Sequence, residues 1–377
     1  MAGIYIHIPF CKKACHYCNF HFSTNLSSID TLTEAISREI ALQKNYLRET
    51  VNTIYFGGGT PSLLPAATII RLLEQLNTQF TVAPDAEITL ETNPDDITAA
   101  SLTLWKQAGI NRLSIGIQSF FEEDLQWMNR AHNAQQARQA ILLAQEAGFY
   151  NITIDLIYGG PTLTDEHWQQ NVQTAIDLNI PHLSCYALTV EPKTALEKMI
   201  ALHKKEEVDA DKQSHHFNLL MEWTAAAGFE HYEISNFAKP GFRSRHNSNY
   251  WAGTAYLGLG PAAHSFNGTS RQWNIANNAL YIKSIENNTV PFEIEHLTLE
   301  QRVNEYIMTS LRTMEGLSLA KVEEIQAGEK QILTAEHLKK EALKYQRQGL
   351  LEIRDETLIV TPQGKFLADG IAADLFC

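Results

Sequence analysis

Three of the chain's five cysteines stand close together near its start, at Cys11, Cys15 and Cys18 in the stretch "CKKACHYCNF". Thiolates are soft ligands suited to zinc or to iron–sulfur clusters. Structural zinc usually takes four ligands in two separated pairs. No second C-x2-C occurs here, although His16 or His21 could complete a zinc set. A [4Fe–4S] cluster on three thiolates leaves one iron open for chemistry, whereas an electron-transfer cluster wants four. Unliganded cysteines fit a tight, polar C-x3-C-x2-C loop poorly. The spacing favours a cluster with an open iron.

The bulk composition narrows the setting. The chain has 377 residues, 44% hydrophobic and 19% charged, enough for two domains or one large α/β domain with an appendage. A formal net charge of −13 argues against bulk electrostatic attachment to nucleic acid. No run of roughly 18 apolar residues suggests a membrane span, and "MAGIYIHIPF" lacks the features of a signal peptide. The expectation is a cytoplasmic protein, where clustered thiols more often hold metal than form disulfides.

A repeated strand–helix grammar must position the cysteines. "IYIHIP", "NTIYFGGG", "AEITLETN", "RLSIGIQS", "NITIDLIYG" and "HLSCYALTV" read as short buried strands. "DTLTEAISREIALQKNYL" puts Leu32, Ile36, Ile40 and Leu47 on one helical face. Thr164, Asp165 and Glu166 open another helix as N-cap and acidic first turn. "KQAGINRLSIGI" and "QEAGFYNITIDL" share one pattern, echoed by "AAAGFEHYEIS". In it Gly109, Gly148 and Gly228 suit left-handed helix C-caps. Such βα units imply a parallel sheet with outer helices, either a partial barrel or a doubly wound sheet. From about residue 295 the pattern changes to charged helices, a hairpin and a last helix. That reads as a small α+β winged-helix-like module. The expected division is 1–235 for the core, 236–290 for a connecting region and 291–377 for the module.

C-x3-C-x2-C after the first strand resembles the radical S-adenosylmethionine (SAM) superfamily. The resemblance implies an α/β fold with a partial (β/α)6 barrel. It also implies a [4Fe–4S] cluster on Cys11, Cys15 and Cys18, with SAM chelating the open iron. In that superfamily an electron from the cluster cleaves the sulfonium to give a 5′-deoxyadenosyl radical. "YFGGGTPS" fits its second motif, with Gly58, Gly59 and Thr60 offering backbone N–H groups to the methionine end of SAM. "YIHIPFC", "GGGTPS", "ETNPDD", "SIGIQSF", "IDLIYGGP" and "YALTVEP" resemble, in order, the oxygen-independent coproporphyrinogen oxidase-like group. By that resemblance Tyr5, Tyr17, Glu91, Gln118, Arg130 and Asp155 also contact SAM. On residue chemistry alone, Glu91 could instead cap "NPDD", Arg130 could pair with Asp124, and Asp155 could be a polar strand end.

Two departures separate this chain from the oxidases of that group. Those resemble C-x3-C-x2-C-x-C, whereas Asn19 and Phe20 follow Cys18 here. They also carry a long segment before the first strand, which here begins at Gly3 or Ile4. "RSRHNSNYW", residues 243–251, is similar to the H-N-x-x-Y-W motif of the HemW branch, the haem chaperones. The resemblance implies haem at His246, Asn247, Tyr250 and Trp251, with an imidazole for iron and aromatic surface for the ring. A hydrogen-bonded structural cluster in a loop is the competing reading. Arg243 and Arg245 could meet haem propionates or solvent.

The function that the resemblance implies is haem delivery to acceptor haemoproteins, respiratory ones in the family's manner, with a reducing electron donor. Radical oxidative decarboxylation of coproporphyrinogen is the enzymatic alternative, and a winged-helix nucleic-acid regulator a third. The acidic surroundings of "EHLKKEALKYQRQ" disfavour the last, so no nucleic-acid partner is expected. Membrane contact is at most peripheral. Gly160 and Ala262 stand where the group commonly has Leu and Gly, and Ala262 could tighten its turn. Cys185 reads as packing, Cys377 as uninformative, and the His215–His216 pair as a solvated helix face.

Overall fold

The computed structural model describes residues 1–377. The six apolar runs form β1 (Ala2–Ile8), β2 (Val51–Gly58), β3 (Val82–Thr92), β4 (Arg112–Gln118), β5 (Ile152–Tyr158) and β6 (His182–Ala187). They pair in parallel and in chain order. The crossovers carry α1 (Ile29–Leu42), α2 (Ala66–Gln79), α3 (Ala99–Gln107), α4 (Glu122–Trp127), α5 (Ala134–Glu146) and α6 (Asp165–Asp177). Alternation within β1 shows how the layers separate. Ile4, Ile6 and Ile8 are fully buried in the main apolar core, while Tyr5 and His7 point the other way. Inward positions on neighbouring strands are likewise polar and joined by hydrogen bonds, as between Thr153 and His182 (2.9 Å).

Local signals are honoured at the helix ends. The Thr164 hydroxyl accepts from the His167 N–H at the start of α6. Gly109 and Gly148 sit at φ +95° and +80° beyond α3 and α5, conformations that cost glycine little. Leu32, Ile36 and Ile40 are buried on α1, but the helix stops at Leu42. Leu47 therefore reaches the core from the following loop and not from the expected helical stripe.

After β6, α7 (Ala195–Ala201) and α8 (Ala210–Ala226) lead to the antiparallel pair β7 (Glu230–Glu233) and β8 (Asn236–Ala238). Then α9 (Arg245–Trp251) precedes β9 (Tyr256–Leu259), which lies parallel to β1 on its free side. β10 (His264–Phe266) and β11 (Ser270–Asn274) follow, then α10 (Asn278–Glu286) and β12 (Phe292–His296). The result is one twelve-stranded sheet. Residues 236–290 are thus integral to the sheet, not a connector, and the sheet continues past residue 290. Buried Glu39 of α1 secures this extension by accepting from Gly260 N–H (2.7 Å), Asn274 (2.6 Å) and the Tyr281 hydroxyl (2.5 Å).

A second apolar core, including Val303, Ile307, Leu338 and Leu358, belongs to the C-terminal module. The module comprises α11 (Leu299–Leu311), β13 (Leu317–Ser318), α12 (Leu319–Ile325), α13 (Ala335–Arg347), β14 (Leu351–Arg354), β15 (Thr357–Val360) and α14 (Ala368–Ala373). Helices with a three-stranded wing give the winged-helix-like form. No helix is long and apolar enough to cross a membrane.

Candidate functional site

A cavity of about 400 Å³ opens where β1–β6 end, the end at which parallel α/β folds build their sites. Cys11, Cys15 and Cys18 border it together with Tyr17, Gly58, Gly59 and Thr60. Glu91, Gln118, Arg130 and Asp155 border it as well. Tyr5 does not. Its hydroxyl lies 3.1 Å from His7 Nδ1, beneath the cavity.

The cysteine loop is held from two sides. Lys12 pairs with Asp95 (2.8 Å) and Asp96 of the β3–α3 loop. From beyond α4, Asn129 donates to the Ala14 carbonyl (2.8 Å). His16 Nδ1 sits 3.0 Å from the Trp127 carbonyl, and His21 Nε2 sits 2.7 Å from Asn278 Oδ1. Neither imidazole borders the cavity that the three cysteines share, so neither completes a zinc set there. Burial pushes the Cys18 thiol up to about 11 and raises Cys11 as well. Coordination to a cluster resolves the problem of three thiols facing one cavity, because it ionises them. The Arg130 guanidinium, 3.3 Å from Cys15 Sγ, supplies a matching positive charge.

The Gly-rich turn works differently from the sequence expectation. Gly58 N–H donates to Glu91 Oε2 (3.1 Å) and Gly59 N–H to the Ile8 carbonyl (2.9 Å). Neither N–H is free for a ligand. Gly58, Gly59 and Thr60 nevertheless border the cavity, and the Thr60 hydroxyl is an acceptor that suits an ammonium. The glycines serve close packing. A Cβ at Gly57 would fall 2.8 Å from the Tyr5 ring and 3.1 Å from Glu91 Oε1, and one at Gly58, at φ +108°, would strike His7.

Two of the carboxyls that border the cavity have raised pKa values. Glu91 accepts from the Tyr55 hydroxyl (2.8 Å), and burial pushes its pKa up to about 8. It does not cap "NPDD". Asp155, near Ser114 (3.5 Å), is raised by burial to about 6 against the pull of Arg130 and Arg112. Arg130 binds Asn93 Oδ1 (2.8 Å) and the Gly116 carbonyl (2.7 Å), whereas Asp124 binds Ser119 and Thr162. Gln118 holds φ +67° at an irregularity in the β4–β5 register. That is a strained conformation for a side-chain-bearing residue, of the kind found at sites. Glu91, which keeps its proton up to about pH 8, and Asp155, raised to about 6, fit a cationic ligand such as SAM, which carries an ammonium and a sulfonium. Asn93, Tyr186 and Glu191 also line the cavity. They lie inside quoted motifs, yet only their place at strand ends could have singled them out.

His246, Asn247, Tyr250 and Trp251 are absent from this cavity and lie on a helix, α9, instead of a loop. His246 Nδ1 is 2.9 Å from Thr53 Oγ1, and its ring lies against Gly3. Gly3 opens β1, whose far end leads to the cysteines, so His246 stands roughly 16 Å along the strand from Ile8. Tyr250 is half exposed and packs edge-on to Trp251 at 5.1 Å. Arg243 pairs with Glu230 (2.9 Å) and Glu315 (2.7 Å), and Arg245 with Asp85 (3.5 Å). Protein carboxylates therefore occupy the two cations expected to meet propionates or solvent. Of the His215–His216 pair only His215 is exposed. His216 is fully buried and accepts from Gly159 N–H (3.2 Å).

Residues 5–175 match the radical SAM superfamily, and residues 297–367 match the HemN C-terminal domain. The barrel and its three-thiol cavity are those of a radical SAM protein. The chain is 34% identical to the heme chaperone HemW of Mycobacterium tuberculosis over 99% of its own length and 94% of that protein's. It is 33% identical to the heme chaperone HemW of Bacillus subtilis, with 98% of each covered. With the Escherichia coli heme chaperone HemW it shares 37% over 70% of this chain and 69% of that one. The chain belongs to the HemW family. Among solved structures, coproporphyrinogen III oxidase (HemN) from Escherichia coli shares the fold, with a TM-score of 0.84 at 24% identity over 100% of this chain and 90% of that one.

Proposed function

We propose that this protein binds haem as cargo and passes it to acceptor haemoproteins, with respiratory proteins as the expected class. One observation carries the reading, the near full-length similarity to relatives named heme chaperones. Cys11, Cys15 and Cys18 would hold three irons of a [4Fe–4S] cluster, leaving the fourth to SAM. When bound, the cluster supplies a single electron and SAM a cleavable sulfonium.

The chain's own residues prepare that site. Glu91 gives up its proton to solvent when an ammonium arrives, and the Thr60 hydroxyl adds a further acceptor. Arg130 offsets the negative charge of the thiolates. Tyr17, Gln118 and Asp155 line the remaining wall, where the nucleoside would sit. The setting is the cytoplasm, with a reducing partner as electron donor and no contact with the membrane beyond its surface.

The test is an anaerobic haem titration of cluster-reconstituted protein, followed in the Soret band beside turnover of coproporphyrinogen. Saturable binding without turnover is expected. Turnover without saturable binding would place the protein with the oxidases instead.

A further inference from the structure

The H-N-x-x-Y-W segment takes no part in the cavity, yet it is built into the barrel from below. Its helix α9 starts at Ser244, whose hydroxyl accepts from Asn247 N–H at 3.3 Å. The N–H groups of Arg245 and His246 both donate to the Glu87 carboxylate, at 3.1 and 3.0 Å. Glu87 is a buried, inward-facing residue of β3. The His246 ring fits beside Gly3, where a Cβ would come 3.4 Å from its Cε1 and 2.9 Å from Thr53 Oγ1.

From there a continuous path leads up to the cavity. The imidazole stacks on the Tyr55 ring with centroids 5.0 Å apart and planes 29° apart. The Tyr55 hydroxyl donates to Glu91 Oε1 at 2.8 Å. Gly57 leaves the space in which Tyr5, Tyr55 and Glu91 converge. At the other end of α9, the Arg312 guanidinium of the C-terminal module lies 5.0 Å from the Trp251 ring.

We propose that α9 is the floor of the barrel and that His246 is a positioning residue, holding Glu91 through Tyr55 in the orientation that receives the SAM ammonium. This rests on the reading of Glu91 given above. Burial and the nearby Arg112 hold the imidazole down to a pKa of about 4, so it stacks as a neutral ring and brings no charge beneath the carboxyl. An imidazole wedged between Thr53 and Tyr55 is poorly placed to reach a haem iron.

The experiment measures SAM affinity of anaerobic, cluster-reconstituted protein by equilibrium dialysis. The shift of the reduced cluster's EPR signal with added SAM and the Soret titration with haem accompany it. His246→Ala and Tyr55→Phe are each expected to weaken SAM by about tenfold, the scale of one hydrogen bond to a charged group. The double variant should be little weaker than either single one, as for members of one network. His246→Phe, which keeps a ring on Tyr55, should restore SAM binding to within about threefold, and haem should still saturate every variant.

If His246→Ala does not fold, His246→Phe and Tyr55→Phe carry the test. Glu91→Gln separates the two readings. Unchanged SAM affinity in that variant removes Glu91 from the site and overturns the proposal with it. A large loss in Glu91→Gln beside none in His246→Ala overturns the relay alone. Loss of haem saturation in His246→Ala with SAM binding intact makes the imidazole a haem ligand and overturns the proposal outright.

Discussion

Glu91 sits away from its ordinary charge state because the barrel excludes water around it. The folded chain keeps its proton up to about pH 8, whereas the solvated carboxyl of the unfolded chain releases it near 4.5. Between those values the unfolded chain binds fewer protons, so ligand-free stability falls as pH rises through the window. Glu91→Gln has no such proton to lose. Its Tm should lie closest to the parent's at the acid end of that window and exceed it by a growing margin toward pH 8. Parallel curves would mean that Glu91 is already ionised in the free protein. Ala262 offers a simpler case at the same scale. It holds φ +61°, where an L side chain is strained, and its N–H is fixed by the Ile275 carbonyl at 3.1 Å. Ala262→Gly should therefore raise unfolding free energy by about 1 kcal/mol in a denaturant titration, and a loss of stability would show the turn to be relaxed. The sequence marked Ala262 as an anomaly, but only φ gave the anomaly a sign.

At the scale of elements, β1–β6 and their helix caps were legible because each is specified locally, by apolar runs and by residues such as Thr164 and Gly109. β8–β11 were not. They are three to five residues long, and their partners, antiparallel except for β9 on β1, are chosen by tertiary packing. Motif order named the three cysteines and eight more of the residues that border the cavity. The end of the barrel occupied by His246 did not, since residue types carry no direction. α8 shows the same limit. His215 and His216 adjoin in sequence, yet one faces solvent and the other packs on Trp168 at 6.2 Å, accepts from Gly159 N–H and approaches Asp165 at 3.0 Å. His216→Ala should cost about 2–3 kcal/mol, from a cavity and an orphaned N–H. His215→Ala should stay within about 0.5 kcal/mol. Equal losses in urea titrations would mean that α8 is docked through its exposed face as well.

The whole molecule has two large apolar cores joined by a seam of hydrogen bonds and a few apolar contacts, among them Phe217 on Phe366 at 5.9 Å, and that seam governs how it unfolds. The main core spans the sheet and its helices, and the second is confined to the C-terminal module. Across the seam, Ile234 N–H donates to the Arg312 carbonyl (3.1 Å), Met314 N–H to that of Tyr232 (3.0 Å), and Lys365 to that of His231 (3.1 Å). Burial lowers the Lys365 pKa to about 8, against the pull of Glu233. An ammonium kept there at neutral pH costs desolvation that its partners only partly offset. Arg243 spans the seam from the α9 side to reach Glu315 (2.7 Å). Two cores with a hydrogen-bonded junction predict two calorimetric transitions instead of one. Arg243→Ala, which lies outside the cavity, should lower the module's transition by a few degrees and leave the barrel's in place. A single transition that shifts as a unit would instead make the module part of the barrel's cooperative fold. In that case α9, gripped by both, would be the element that couples them.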